Sequence, residues 1–274
     1  MSIEKYVAFA AKSFALPDVC VRLREVLDDP RSSADDMSDL ISVDPSLTGK
    51  VLRLANSSLF RFPSQIESVS KAINVIGGEA LYNIVVAETA GSAFKCFETK
   101  YVNLDKHWYA SVYCGMVAKS LAMRLNIKGA DRFFVMGMLQ NLSELIVAKR
   151  APRRYVTYLK DHEATLPDES QIAHFGFTFA HCSGIIMENW NLPVGLSHPV
   201  VQMNDKEKQA SDIDVSVLAL ANKVTISELE NEKYHDIELF SKEIANVISP
   251  DKELVRVSAE YAEIETSKVV SLIQ

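Results

Sequence analysis

Apolar residues recur at three- and four-residue steps along most of the chain, and this period constrains the fold more than any other feature. In residues 18–27, for example, Val19, Leu23 and Val26 fall on one face of a helix. Strand signals are weak, because strict alternation is rare and the 274 residues include only 10 glycines. The pattern therefore predicts an all-α chain.

Helix caps and breaks divide this pattern into a series of predicted helices. Ser33 precedes an acidic first turn, Pro45 suits the first turn of the next helix, and a glycine pair at 77–78 separates two more. We expect further helices at 66–76, 79–94, 104–125, 177–190, 194–203, 212–227 and 251–273. Residues 131–147 are apolar on nearly every face, which predicts a helix at the centre of a bundle.

A polar stretch without helical period, residues 98–103, interrupts this series. We place a lobe boundary there, at residues 96–104, although 274 residues could also build one large core. The expected architecture is a two-lobed helical bundle. It has an N-terminal helical lobe over residues 1–98, a second lobe over 99–228, and C-terminal helices over 229–274 that pack on the second lobe.

The charge balance argues against a nucleic-acid partner. The formal net charge is -7 and the isoelectric point is about 5.5, whereas nucleic-acid binders usually present a basic field. The richest basic cluster, residues 149–154, is short and is interpreted as a helix end that meets water.

Neither a membrane nor an oxidising compartment is indicated. No apolar run approaches the roughly 20 residues that span a bilayer, and the first residues do not form a secretory signal. The four cysteines are scattered, with no CxxC spacing, which is typical of buried free thiols in a reducing compartment. We therefore expect a cytoplasmic protein without a membrane partner.

Residues 44–58, DPSLTGKVLRLANSS, resemble the signature of the HDOD family. Further pieces follow in the family's order: IESVSKAI at 66–73, Trp108, GML at 137–139, PRRY at 152–155, His181 and WNLP at 190–193. The resemblance covers about residues 14–226. This family is a bacterial signalling branch of the HD metal-dependent phosphohydrolases, so the resemblance implies an HD-like second lobe.

The resemblance also implies where a metal site would lie. Active HD enzymes hold divalent metals with a His, an adjacent His-Asp pair and a later Asp. The corresponding positions here are Ala110, Gln140, Asn141 and Asn222. An amide oxygen carries no charge to hold a divalent ion, so we expect no metal, no other cofactor and no catalytic residue.

Polar side chains left at such a site could still line a pocket. Gln140, Asn141, His181 and Asn222 are candidates to recognise a small polar ligand through neutral hydrogen bonds. The alternative is that the buried amides simply bond to one another, and that His181 is a hydrogen-bonded core residue. The only literal His-Asp pair, His235 and Asp236, lies in a polar stretch and is expected to be exposed.

A second candidate surface concerns protein partners. Arg53 and Asn56 in the signature, with Phe60 and Phe62 in the apolar segment that follows, are candidate partner-binding residues. Capping of the helix by Asp44 and Asn56, and local packing of the apolar segment, would explain the same residues without a partner.

The sequence thus predicts a non-catalytic HDOD regulator that binds another signalling protein or a small ligand. One alternative is a metal-dependent phosphohydrolase that acts on a nucleotide or phosphoester with ligands from unexpected positions. Another is a nucleotide sensor, although the sequence lacks a glycine loop or arginine cluster to cradle phosphate near the pocket.

Overall fold

The computed structural model describes residues 2–57, 59–60, 65–161 and 166–273, and these residues form helices joined by short loops. No β-strand occurs among them, so the all-α prediction is confirmed. In chain order the helices are α1 (Ile3–Ser13), α2 (Asp18–Asp28), α3 (Ala34–Ser42), α4 (Pro45–Ala55), α5 (Val69–Ile76), α6 (Gly78–Cys96), α7 (Leu104–Arg124), α8 (Asp131–Leu139), α9 (Leu142–Arg150), α10 (Pro152–Asp161), α11 (Pro167–Phe175), α12 (Phe179–Asn189), α13 (Val194–Val201), α14 (Lys206–Gln209), α15 (Ile213–Leu229), α16 (Asn231–Tyr234), α17 (Lys242–Ala245) and α18 (Lys252–Ile273).

Helices α3 and α4 begin where their caps predict. Ser33 Oγ accepts from the Asp36 N–H while Asp36 accepts from the Ser33 N–H at 2.7 Å, which is a capping box at the start of α3. Asp44 accepts from the N–H groups of Ser46 and Leu47 at 2.8 and 3.1 Å at the start of α4. Local sequence is therefore sufficient to set these two helix starts.

One continuous hydrophobic core runs through the described residues. The long helix α7 packs against α8, α15 and α18, and α6 lies between α4 and α8. The polar stretch predicted as a lobe boundary is the connection between α6 and α7. Helix α18 packs mainly on α7, and it also contacts α4, α15 and α6.

The segment 131–147 is not one helix, so that prediction is wrong. Helix α8 ends at Leu139 and α9 begins at Leu142, with Gln140 and Asn141 at the junction. The N–H of Ser143, in the first turn of α9, donates to Ser183 Oγ on α12 at 2.9 Å. The Ser183 hydroxyl thus accepts the hydrogen bond that a backbone carbonyl of the preceding turn would accept in a continuous helix. The helix can therefore break here without leaving the Ser143 N–H unpaired.

Two glycines allow α7 and α8 to touch at backbone distance. A Cβ added to Gly137 would lie 2.7 Å from the backbone nitrogen of Gly115, and one added to Gly115 would lie 2.5 Å from the carbonyl oxygen of Phe134. This close approach sets the position of the α8 end, and with it the junction that carries Gln140.

Two smaller predictions about side chains are settled by burial. All four cysteines are free thiols, and Cys20, Cys114 and Cys182 are buried. Burial raises the pKa of Cys20 to about 11, so this thiol is protonated and unreactive at neutral pH. His235 and Asp236 are exposed, as predicted, with side chains 59% and 92% exposed.

No helix in the described ranges is both long enough and apolar enough to cross a bilayer.

Candidate functional site

Three of the residues that the family resemblance placed at a metal-site position line one cavity. Gln140, Asn141 and Asn222 border a space of about 300 Å³ enclosed by the α8–α9 junction and by α11, α12 and α15. Its remaining walls combine apolar groups such as Ala180 and Met203 with charged side chains. The predicted positions are thus mostly brought together, although they are 82 residues apart in the chain.

The floor of the cavity is a pair of amides. Gln140 is buried, and its Nε2 donates to Asn222 Oδ1 at 3.3 Å. Gln140 comes from the α8–α9 junction and Asn222 from α15, so the bond joins two layers of the bundle. These two amides therefore satisfy part of each other's hydrogen-bonding requirement, as expected if the buried amides bond to one another rather than to a ligand.

Asn141 belongs to a second, charged network. Its Nδ2 donates to Glu144 Oε2 at 2.6 Å, and the hydroxyl of Tyr155 donates to Glu144 Oε1 at 2.6 Å. His107 Nδ1 lies 3.2 Å from Glu144 Oε2, and the Glu144 side chain is only 17% exposed. One carboxylate thus gathers donors from α7, from the α8–α9 junction and from α10.

These donors control the ionisation of Glu144. Burial alone would raise the pKa of this carboxyl group, but the contacts from His107, Tyr155 and Asn141 outweigh it and lower the pKa below its usual value. Glu144 is therefore a carboxylate at neutral pH, and its two oxygens are already engaged by three donors.

His107 is one of the residues that sequence reasoning missed; it contacts Glu144 behind the cavity wall and, like Ala110, does not itself line the cavity. The resemblance placed the first histidine position at Ala110, which lies one turn further along α7 and does not line the cavity. The imidazole that reaches the network is His107, and its Nε2 is buried without a hydrogen-bond partner among the described residues. The signal was available: His107 precedes Ala110 by three residues and therefore shares its helix face.

The donor set does not fit a divalent cation. Within the described residues no three His, Cys, Asp or Glu side chains are grouped so as to hold a metal ion. Glu144 offers one charged ligand, but both of its oxygens accept from side-chain donors, and the neighbouring amides carry no charge.

The rim of the cavity is rich in acceptors. Asp168 and Glu230 supply two further carboxyl groups, and Lys223 supplies an ammonium group. Asn204 Nδ2 donates to Asp168 Oδ2 at 3.4 Å, whereas Asn204 Oδ1 is buried without a partner in the described part of the chain. Lys223 Nζ donates to the carbonyl oxygen of Glu238 at 2.9 Å.

His181 does not join the other three candidates. It lies on α12 beside a separate depression, and its Nδ1 is 3.1 Å from the carbonyl oxygen of Val201. Its own N–H donates to Thr178 Oγ1, the cap of α12. The ring is half-buried and hydrogen-bonded, so the prediction that it shares one pocket with Gln140, Asn141 and Asn222 is wrong.

Within the candidate partner-binding set, Asn56 is engaged in the chain itself. Its Nδ2 donates to the carbonyl oxygens of Leu52 and Ile66, and its Oδ1 accepts from the Ile66 N–H at 2.7 Å. Arg53 is exposed. Phe62 lies outside the described residues.

Phe60 packs against a buried lysine that the sequence did not reveal. Lys119 Nζ lies 4.2 Å from the centre of the Phe60 ring and 2.5 Å from Asp131 Oδ1, and it donates to the carbonyl oxygen of Leu59. The Lys119 side chain is only 3% exposed. Leu59 is itself buried, so local packing accounts for this part of the apolar segment.

Known proteins with the same fold are found by both sequence and structure. A structure from Shewanella amazonensis SB2B, provisionally named a phosphohydrolase, has a TM-score of 0.72 at 20% identity and covers 97% of this chain and 98% of its own. An HDOD domain protein of unknown function from Geobacter sulfurreducens has a TM-score of 0.70 at 20% identity, with coverage of 100% and 99%. At these identities the likeness shows the fold alone.

Comparison of the sequence alone matches a shorter part of the chain than the structural comparisons do. An uncharacterized protein from Treponema pallidum (strain Nichols) is 24% identical over 186 residues, which are 65% of this chain and 35% of that protein. The chain thus spans about a third of the length of this relative. The model of the HDOD domain matches residues 14–206, well over half of the chain. The chain therefore belongs to the HDOD domain family.

Proposed function

We propose that this protein is a non-catalytic regulator in signal transduction, which acts by binding a protein or a small ligand. One observation carries the proposal. At the positions where active HD enzymes hold metal, the side chains of Gln140 and Asn222 bond to each other, and Asn141 donates to Glu144. Hydrolysis in that superfamily depends on a metal-activated water, and these neutral groups would not generate one.

The first test is a metal and activity measurement on the full chain. The protein is dialysed, analysed for bound Mn, Fe and Zn, and assayed with p-nitrophenyl phosphate and with cyclic dinucleotides in the presence of Mn²⁺. We expect less than 0.1 metal per chain and no turnover above that of a buffer blank. Stoichiometric metal, or hydrolysis that a chelator abolishes, would establish the phosphohydrolase alternative instead.

The second test concerns the partner. The protein with an affinity tag is used to capture proteins from the native cell, alongside a variant with Arg53→Ala and Phe60→Ala. Arg53 is exposed on α4, and Phe60 follows the end of that helix and is half-buried. We expect a signalling protein that the native chain retains and the double variant loses. Equal capture by both chains would remove these residues from the docking surface.

A further inference from the structure

We propose that the cavity bounded by Gln140, Asp168, Asn204, Asn222 and Glu230 binds a small organic cation that carries a primary amine or a guanidinium group. The inference deepens the proposed function and rests on it, because a cavity that binds a ligand without metal is how such a regulator would sense a small molecule. The cavity, its unpaired acceptors and its charge support the inference independently of one another.

The size of the cavity limits the ligand. A space of about 300 Å³ lies at the lower end of the range for small-molecule sites. It admits a molecule of the size of an amino acid or a short diamine. The apolar side chains of Ala180, Met203 and Ala219 in its wall would contact the methylene groups of such a ligand.

The rim of the cavity offers hydrogen-bond acceptors, so a ligand there should supply donors. Asn204 Oδ1 is buried and without a partner in the described residues, while the Asn204 amide is oriented by its N–H bond to Asp168 Oδ2. The carboxylate fixes which end of this amide is the oxygen, since a carboxylate accepts and does not donate. A buried acceptor left unpaired is costly, and an N–H group of a ligand would satisfy it.

Spare acceptors continue along the same rim. The hydrogen bond from Asn204 occupies only one oxygen of Asp168. Glu230 lines the cavity, and its side-chain carboxyl group makes no hydrogen bond or ion pair within the described residues, although its backbone is bonded in the helix. An ammonium group has three N–H donors and a guanidinium group has five, and neither has an acceptor. Their geometry matches a rim that offers carboxylate and amide oxygens.

The charge around the cavity has the sign that this ligand requires. Three carboxyl groups, from Glu144, Asp168 and Glu230, face one ammonium group, from Lys223. Burial raises the pKa of Glu230, the charge of Lys233 opposes this, and the charge of Glu144 adds to it. A bound cation would stabilise the carboxylate form of Glu230 and offset its burial.

The same arrangement disfavours a phosphate ester. Lys223 is the one cationic side chain among the described residues that line the cavity, and its Nζ already donates to a backbone carbonyl. Burial lowers its pKa. A phosphate would meet acceptors where it requires donors, so the cavity has lost the ligand class that the HD superfamily hydrolyses.

The experiment measures binding of agmatine, which carries a primary amine at one end and a guanidinium group at the other. Isothermal titration calorimetry of the full chain with agmatine is compared with adenosine monophosphate, inorganic phosphate and MgCl₂ at equal ionic strength. We expect one agmatine per chain, with a dissociation constant below 1 mM, and no heat from the three controls. Absence of agmatine binding, or binding of adenosine monophosphate in its place, overturns the inference.

Variants then locate the site. We expect Asp168→Asn and Glu230→Gln, which keep the side-chain shape, each to weaken agmatine binding at least tenfold. Asp236→Asn removes an exposed carboxylate outside the cavity and should leave the affinity unchanged. If all three variants weaken binding equally, agmatine binds the acidic surface at large and the inference fails.

A fourth variant is expected to increase the affinity for agmatine, a result that partial unfolding would not produce. Lys223→Gln removes the ammonium group from the cavity wall, and agmatine should then bind several-fold tighter. Weaker binding by a folded Lys223→Gln protein contradicts the charge argument. The two proposals fail on different results. Metal-dependent hydrolysis would contradict the non-catalytic function. If there is no hydrolysis and agmatine does not bind, only the present inference is contradicted.

Discussion

Glu88 illustrates how single buried charges shape the stability of this protein. It lies on α6, its side chain is only 1% exposed, and its Oε2 is 3.5 Å from Lys50 Nζ, a long ion-pair contact. Burial raises the pKa of Glu88, and the nearby charges of Lys50 and Arg53 only partly offset this. A carboxyl group with a raised pKa favours the folded state in its protonated form.

We therefore expect Glu88→Gln to stabilise the protein at neutral pH. In the native chain the stabilising contribution of protonated Glu88 is fully present below the unfolded pKa of about 4.5 and is lost as the pH rises through the higher folded pKa. The glutamine variant cannot ionise, so its stability relative to the native chain should increase as the pH rises from 4 to 7.

Urea denaturation at several pH values measures this difference. Glu79→Gln serves as the control, because Glu79 is an exposed acid in the same helix. If the advantage of Glu88→Gln is constant with pH, the side chain does not titrate as the structure implies.

At the scale of helices, the site is positioned by contacts between α7 and α8. The residues that make these contacts carry no recognisable sequence motif. Gly137 and Gly115 let α8 approach α7, and Lys119 on α7 binds Asp131 at the start of α8 and the backbone of Leu59. Both contacts determine where α8 lies, and therefore where the Gln140–Asn141 junction is placed.

Gly137→Ala should loosen this helix pair. Its Cβ would lie 2.7 Å from backbone atoms of Gly115, which cannot rotate away, so we expect a loss of about 1–3 kcal/mol in unfolding free energy. Gly195→Ala is the matched control, since a Cβ there meets nothing within 4 Å and Gly195 is helical. That change should be neutral or stabilise by about 0.5 kcal/mol. Equal effects in chemical denaturation would contradict the packing argument.

Lys119→Met tests the buried ion pair. The methionine fills much of the same volume but leaves Asp131 and the Leu59 carbonyl without their donor, so we expect a loss of about 3 kcal/mol in unfolding free energy. Lys106→Met makes the same exchange at an exposed position of α7 and should change the stability by less than about 0.5 kcal/mol. A Lys119 variant as stable as the Lys106 variant would show that the pair contributes little.

At the scale of the whole molecule, the core runs without interruption across the predicted lobe boundary. Buried side chains on α4 and α6 continue into those of α7 and α8, and α18 contacts helices on both sides. Trp190, at the end of α12, donates from its Nε1 to the carbonyl oxygen of Phe14, which ties the C-terminal half of the chain to the end of α1. Two lobes described by sequence thus share one hydrophobic interior.

We expect the described helices to unfold in one cooperative transition. Far-ultraviolet circular dichroism reports on all helices, and tryptophan fluorescence reports on Trp108 in α7 and Trp190 after α12. The two transitions in urea should coincide, because a shared core couples the lobes. A fluorescence midpoint separated from the dichroism midpoint would indicate lobes that unfold independently.

Local patterns determined the helical class and most helix positions, because helix period and caps depend on neighbours within four residues. Ser33 and Asp44 each cap the helix that their position predicts. The family resemblance predicted which residues would meet at the site; Gln140, Asn141 and Asn222 line one cavity, whereas Ala110 and His181 do not. Helices α1, α10 and α11 and the short helices α14, α16 and α17 have no counterpart among the predicted helices. At the break inside 131–147, the freed N–H of Ser143 bonds to Ser183, 40 residues away.

What only the tertiary structure decided is how that site is completed. His107 rather than Ala110 reaches Glu144, His181 faces a different depression, and Asp168, Asn204 and Glu230 supply the acceptor-rich rim. The physical reason is that hydrogen bonds and burial depend on distances between side chains of different helices. Sequence by itself determined which residue types stand at the positions that the resemblance assigns, because residue types are read directly, whereas the surroundings of each polar group arise only when the helices pack.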